Sequence, residues 1–191
     1  MEGLLNQYLD QIKIGGKQVY KNLALFPLLS AQADSLDYLT LDEALKDGLV
    51  EVTEVSEGGH VPDLKVVNKS PRMILILDGE ELVGAKQNRI VNTTILVAAY
   101  STLVIPVSCV EQGRWSYDSP RFASRERILP NRIRAQKAQQ VQYSLRQSRE
   151  FRANQGAIWD EIADKADRME ARSPSMAMSA IYERQAGSVE D

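Results

Sequence analysis

Between Asp78 and Trp115 the chain reads DGEELVGAKQNRIVNTTILVAAYSTLVIPVSCVEQGRW, and most of its chemistry is concentrated there. Asp78, Glu80, Glu81, Lys86, Gln87, Asn88, Arg89 and Asn92 crowd the end of an apolar run, Met73-Ile74-Leu75-Ile76-Leu77. Read as a strand, that run is expected to be buried on both faces, because successive side chains point opposite ways and all five are apolar. Charges set against such a strand are expensive unless they pair or bind something. Three carboxylates, Glu80, Glu81 and Glu111, are catalytic candidates: burial would raise one of them into the range of a general acid or base, and two could grip Mg²⁺ through oxygen. The structural alternative is a network in which the acids neutralise Lys86 and Arg89 across a hairpin. Strand alternation sends Glu80 and Glu81 to opposite sides and sets Asp78 with Glu80.

Lys86-Gln87-Asn88-Arg89 follows Gly84-Ala85, and four polar side chains in a row exceed what a tight hairpin needs. The cations attract an anion, arginine's planar fork fits carboxylate or phosphate, and the amides read donors and acceptors. Lys86, Gln87, Asn88, Arg89 and Arg114 are therefore the expected ligand-binding residues. The plainer reading is a polar turn whose amides cap backbone groups. As loop amides without buried partners, Gln87 and Asn88 are expected to matter little for stability. Glu111 and Arg114 flank Gly113 and are placed to pair, ordering the loop below Trp115. Cys109 closes an apolar strand and reads as an inert buried thiol. The single histidine, His60, lies in a Gly-rich loop far from it in sequence, so no Cys–His pair is expected and no histidine zinc site exists. No metal ligand set and no cofactor is assigned, and the P-loop, GxGxxG and HExxH patterns are all missing.

The elements that must position these residues follow from periodicity and punctuation. Leu4, Leu5, Tyr8, Leu9 and Ile12 predict a helix over 2–13, ended by Gly15-Gly16. Val19–Leu29 is a strand broken by Pro27. Thr40 with Glu43 forms a capping box for a short helix stopped at Gly48. Strands are then expected through Val50, Val52 and Val55, over Leu64–Val67, Met73–Leu77, Glu81–Gly84, Arg89–Ala98 and Leu103–Val110. Residues 116–130 read as an irregular connection between Pro120 and Pro130. Helices follow from Asn131, through Ile158, Trp159 and Ile162, and from Ser173-Pro174 onward through Met176 and Ala180. The expected class is α+β: a mostly antiparallel β-sandwich or barrel-like N-terminal part (1–115) and two to three packed C-terminal helices (116–191), making one structural unit over 1–191.

Composition sets the outer bounds. The chain has 191 residues, 43% hydrophobic and 26% charged, with one cysteine and a net charge of −3. These are globular values, and no internal disulfide is possible. The apolar stretch from Thr94 to Val110 is interrupted by Tyr100-Ser101-Thr102 and Pro106, so two strands are expected rather than a membrane span. Without a basic leader and apolar core at the start, a cytoplasmic protein with no membrane partner is the expectation. One basic block, residues 120–152, carries 9 basic and 2 acidic side chains between acidic flanks. It is expected to pair with those flanks more than with nucleic acid, and its few aromatics give no stacking platform.

DGEELVGAKQNR, an apolar stretch, and then IPVSCVEQGRW resembles the ARG and rhodanese-phosphatase-superfamily-associated protein domain family. Ile158-Trp159-Asp160-Glu161-Ile162 and Ser175-Met176 with Tyr182 are similar to its C-terminal half. The resemblance covers the chain from about Leu25 onward and matches Glu80, Gly84, Lys86 to Arg89, Cys109, Glu111, Gly113, Arg114 and Trp115. The family name implies association with ADP-ribosylglycohydrolase, rhodanese or phosphatase partners and no particular reaction. Three functions follow as expectations: binding of a small anionic ligand, nucleotide- or ADP-ribose-like; a non-catalytic module that docks a partner protein; or nucleic-acid binding through 120–152. Only the last requires affinity that falls steeply with salt.

Overall fold

The computed structural model describes residues 2–31, 36–56, 58–171 and 173–189. It forms two compact units, Met1–Leu36 and Asp37–Asp191. In the first, helix α1 (Glu2–Leu9) precedes four short strands: β1 (Lys13–Ile14), β2 (Gln18–Tyr20), β3 (Leu23–Leu25) and β4 (Leu28–Leu29). β2 pairs with β3 and β1 with β4, both antiparallel. The single strand expected over Val19–Leu29 is thus a pair of short ladders, because the chain reverses at Lys21 with a left-handed φ of 51°. None of the unit's described side chains is buried; Leu4 of the helical stripe lies outside them.

The second unit runs β5 (Tyr38–Thr40), α2 (Leu41–Lys46), β6 (Val50–Glu54), β7 (Asp63–Asn68), β8 (Met73–Ile76), β9 (Glu80–Gly84), β10 (Arg89–Val91), β11 (Ile95–Val97), β12 (Thr102–Cys109) and β13 (Phe122–Ile128). Helices α3 (Asn131–Ser148), α4 (Gln155–Arg168) and α5 (Ser179–Val189) complete it. This is the mixed α+β class, with an antiparallel half-barrel followed by three helices. The six-stranded sheet has the order β13-β9-β10-β12-β7-β6 and is antiparallel throughout. Its edge strands β13 and β6 approach each other, and Arg121 reaches Glu51 at 3.0 Å. A second sheet, β11-β8-β5, includes one parallel pair, β5 with β8.

Alternation decides which residues face which core. Val50, Val52, Leu64, Val66, Leu82, Val91, Ile105 and Val107 fill the concave side, closed by Leu41 and Ala44 of α2. The α2 capping box forms as expected: the Thr40 hydroxyl accepts from the Glu43 N–H, and the Glu43 carboxylate accepts from the Thr40 N–H at 2.8 Å. On the convex side Ile90 and Val110 meet Ile133, Ile158, Ile162, Met178 and Ile181 from the helical layer.

Four expectations need correction. Met73–Leu77 is not buried on both faces: Ile74 and Ile76 are enclosed, Met73 and Leu75 are half-covered, and Leu77 is exposed, because β8 belongs to the small sheet rather than the centre of the large one. Residues 122–128 are an edge strand rather than an irregular connection. A register shift between Ser124 and Ile128, with Glu126 at φ 54°, hides the alternation that would have revealed it. The last helix starts at Ser179, not at Ser173, because residues 110–113 hold Ser173–Met178 as a non-helical strap with a turn at Pro174-Ser175. Met178 N–H donates to Val110, Gly113 N–H donates to Ser175, and Glu111 bridges Ala177. In consequence Met176 is exposed, and Met178 takes its place in the core beside Ile181, which the helical pattern includes; Trp159 of α4 is only half-buried.

Candidate functional site

Ala85 to Asn88 form the connection from β9 to β10, which Arg89 opens, and the glycine before them has a steric cause. Gly84 has φ +123°, and an added Cβ would lie 2.5 Å from the Ser119 hydroxyl and 2.7 Å from the Arg121 carbonyl oxygen. Only glycine lets the 118–121 segment pass this close. That segment ties down the turn: Ala85 N–H donates to Ser119 Oγ, and Asp118 N–H donates to the Ala85 carbonyl.

The amides of the turn are buried, contrary to the expectation of loose loop amides. Gln87 and Asn88 expose only 5% and 4% of their surface. Gln87 Nε2 donates to the Glu111 carbonyl, and its Oε1 accepts from Arg89 Nη1 at 2.6 Å. Asn88 Oδ1 accepts from Gly84 N–H at 3.2 Å and from Arg114 Nη2 at 2.9 Å. Asn88 N–H donates to Glu111 Oε2 at 3.1 Å. Arg114 pairs with the same carboxylate at 2.7 Å and donates to the Ala85 carbonyl at 2.7 Å and the Ser116 carbonyl at 3.1 Å. Burial acts to raise the Glu111 carboxyl, but Arg114, Ser175 and the Asn88 N–H together hold it below its ordinary value. The expected Glu111–Arg114 pair is therefore real, and it clamps the turn through backbone groups that would otherwise be orphaned.

Arg89 points into the concave face beside Cys109, its register partner on β12. It is fully buried, and Glu54, the third inward residue of β6 after Val50 and Val52, faces it with Nη2 4.0 Å from Oε1. Arg89 Nε and Nη2 and both Glu54 carboxylate oxygens have no hydrogen-bond partner among the described residues. Above them lies an aromatic and basic cover. The Trp115 ring is 5.5 Å from the Arg89 guanidinium and 5.6 Å from Lys86 Nζ, and the Tyr117 ring is 5.1 Å from Lys86. Lys86 Nζ also donates to the Gly58 carbonyl at 2.7 Å. A Cβ on Gly59 would meet Lys86 Cδ at 3.2 Å, Trp115 Cζ2 at 3.4 Å and Glu54 Oε2 at 3.6 Å, so the Gly58-Gly59 turn lies directly over this pole. Burial pushes the Cys109 thiol up to about 11 despite the Arg89 guanidinium beside it.

The acids Asp78, Glu80 and Glu81 do not neutralise Lys86 and Arg89. Asp78 lies in the turn before β9, so strand parity does not govern it. It pairs with Lys137, a wholly buried residue of α3 that also donates to the Val91 and Asn92 carbonyls at 3.1 and 2.9 Å. Arg134 adds a 3.5 Å contact. Burial raises Glu80 to about 7, with Asp42 adding to the rise and Arg134 and a Leu77 backbone bond opposing it. Glu81 is fully buried on the convex side, and neither of its oxygens has a partner among the described residues. Burial likewise raises it to about 7, against the pull of Arg127. Glu80, Glu81 and Glu111 thus occupy three different environments. No group of three or more His, Cys, Asp or Glu that could hold a metal occurs among the described residues.

Sequence reasoning missed Glu54, Lys137 and Gln155. Glu54 stands where the Val50-Val52 alternation calls for an apolar side chain, and Lys137 sits midway between Ile133 and Val141 on one helical stripe; both signals were present. Gln155 had none. Within the basic block, Arg121, Arg127, Arg132, Arg134, Lys137 and Arg152 pair with Glu51, Glu183, Glu161, Asp78, Asp78 and Glu150. No helix among the described residues is long and apolar enough to cross a membrane.

The sequence pattern of the ARG and Rhodanese-Phosphatase-superfamily-associated Protein domain matches residues 11–191, and the chain belongs to that family. No curated protein and no solved structure matches it.

Proposed function

We propose that this family member binds a small anionic ligand at the pole of the half-barrel lined by Arg89, Glu54, Lys86 and Trp115. The observation that carries this reading is the set of four buried polar atoms, two on Arg89 and two on Glu54, that lack hydrogen-bond partners among the described residues, although Arg89 Nη2 and Glu54 Oε1 form a long 4.0 Å ion pair. Buried charged atoms are costly when unmatched, and a polar ligand group between them removes that cost. Lys86 supplies the cation at the rim, and Trp115 supplies a face for an apolar or ring-shaped body. Gln87, Asn88, Glu111 and Arg114 position the cations. A nucleotide- or ADP-ribose-like molecule is of the right chemical kind, with an anionic group, hydroxyls and a ring.

The test is calorimetric titration with inorganic phosphate, AMP and ADP-ribose. Lys86→Ala should weaken binding of any of them about tenfold or more while leaving thermal stability nearly unchanged, because its hydrogen bond to Gly58 is solvent-exposed. Absence of binding by all three probes, or equal binding by the variant, counts against the reading.

A second reading, a protein-docking module, is favoured by one observation. In the Met1–Leu36 unit, Ile14, Val19, Tyr20, Leu23 and Leu28 are each more than 60% exposed. Surface of this kind is what docking to another chain would use. Deleting the unit should abolish such an interaction and leave ligand binding at the Arg89 pole intact.

A further inference from the structure

We infer that the ligand presents a vicinal diol inward, to Arg89 and Glu54, and its anionic group outward, to Lys86. The inference rests on the ligand-site reading above and specifies the ligand class: a small phosphorylated or otherwise anionic sugar-like polyol. A bare oxyanion would satisfy the free Arg89 nitrogens but would meet the Glu54 carboxylate, 4.0 Å away and just as buried, as a like charge. An ionised carboxylate only accepts, and a guanidinium only donates. The group that fits between them must accept on one side and donate on the other, which a hydroxyl does. Two adjacent hydroxyls match the two Arg89 donors, Nε and Nη2, with the two Glu54 acceptors, so that all four unpartnered atoms are satisfied together.

The surroundings agree with this orientation. The remaining Arg89 nitrogen, Nη1, is already engaged by Gln87 Oε1 and the Gln87 carbonyl, which fixes the guanidinium plane with its other edge turned to Glu54. The half-exposed Trp115 ring, which covers the Arg89 guanidinium at 5.5 Å, borders the entry and offers apolar surface to the C–H groups of a sugar. Lys86 stands further out, with its ammonium against the Trp115 and Tyr117 rings and the Gly58 carbonyl. An anion there gives the ammonium a charged acceptor in place of, or beside, the neutral Gly58 carbonyl. The Gly58-Gly59 turn, which Lys86 ties down, lies over Glu54 and Trp115 and must shift for the ligand to enter.

The experiment compares ribose 5-phosphate, 2-deoxyribose 5-phosphate and inorganic phosphate by calorimetry on the unaltered protein, and repeats the first two on Glu54→Gln. Ribose 5-phosphate should bind about 10- to 100-fold more tightly than its deoxy analogue, because removing one hydroxyl leaves a charged buried acceptor unmatched. Glu54→Gln should lower affinity for the ribose compound and narrow that ratio. Equal affinity for both sugar phosphates, or affinity no better than that of inorganic phosphate, overturns the diol and leaves the anion site standing. If none of the three binds, the diol and the ligand-site reading fall together, and water alone occupies the gap between Arg89 and Glu54. The comparison on the unaltered protein decides the matter even if Glu54→Gln does not fold.

Discussion

Gln155, at the start of α4, holds both backbone polar groups of Cys109, the N–H and the carbonyl. Its Oε1 accepts from the Cys109 N–H at 2.8 Å, and its Nε2 donates to the Cys109 carbonyl at 2.7 Å. A side-chain amide thereby stands in for a neighbouring strand at the end of β12 and couples the helical layer to the strand that carries the Arg89 partner. Gln155→Ala should destabilise the Asp37–Asp191 unit by about 1–3 kcal/mol, since both backbone groups lose their partner. Gln155→Glu should do no better, because a carboxylate cannot donate to the Cys109 carbonyl. Chemical denaturation read by tryptophan fluorescence measures both. Wild-type stability in the two variants would mean that water replaces the amide without loss.

Gln87→Ala and Asn88→Ala should each lower stability by about 1–3 kcal/mol, the reverse of what a loop position suggests. Asn88→Ala strips a partner from Arg114 and from the Gly84 N–H, and Gln87→Ala frees Arg89 Nη1 and the Glu111 carbonyl. A fall in melting temperature of several degrees is the expected result. Unchanged melting would place these amides in solvent in solution.

Cys109 should react slowly with thiol reagents at neutral pH, because it is buried and its thiol is pushed up to about 11. Cys109→Ala should keep ligand binding intact. Rapid labelling of the native protein, with loss of binding on substitution, would instead make the thiol part of the site.

The pH dependence of folding should carry the mark of Glu81. Burial raises it from 4.5 to about 7, so between those values the folded state holds a proton that the unfolded chain releases. Stability then falls as pH rises through this window, and the loss is complete above about 7. A shift of this size corresponds to roughly 3 kcal/mol at most. Glu81→Gln should flatten that slope and melt higher than the parent at pH 8, while the two proteins match at pH 4. Identical slopes for parent and variant would show that Glu81 is solvated or paired in solution.

How much could be read in advance depended on whether a residue's role was local. The Thr40–Glu43 box, the Glu111–Arg114 pair and the burial of Cys109 follow from neighbours within a few positions, and each is found. Strand alternation placed β6, β7 and β9 with small errors at their ends. Three kinds of information were missing. The bulge in β13 breaks the period that identifies a strand. Burial of Gln87 and Asn88 depends on Glu111 and Arg114, more than twenty positions away. Gln155 reaches Cys109 across 46 positions, and no local pattern announces such a contact. The meeting of Glu54 with Arg89 is of the same long-range kind, although the acid in an inward strand position was a visible anomaly.

The strap Ser173–Met178, hydrogen-bonded to Val110 and Gly113 and bridged to Glu111, has a consequence for biosynthesis. The clamp on the Lys86–Arg89 turn includes Glu111, whose loop is held in place by residues translated long after it. At ordinary elongation rates the strap emerges on the order of seconds later than the loop it secures. During that interval the half-barrel can be present with its cationic turn unsecured and the convex face of Ile90 and Val110 uncovered. A nascent chain that has not yet reached Ser173 therefore carries Ile90 and Val110 without Met178 and Ile181, their partners from the C-terminal segment.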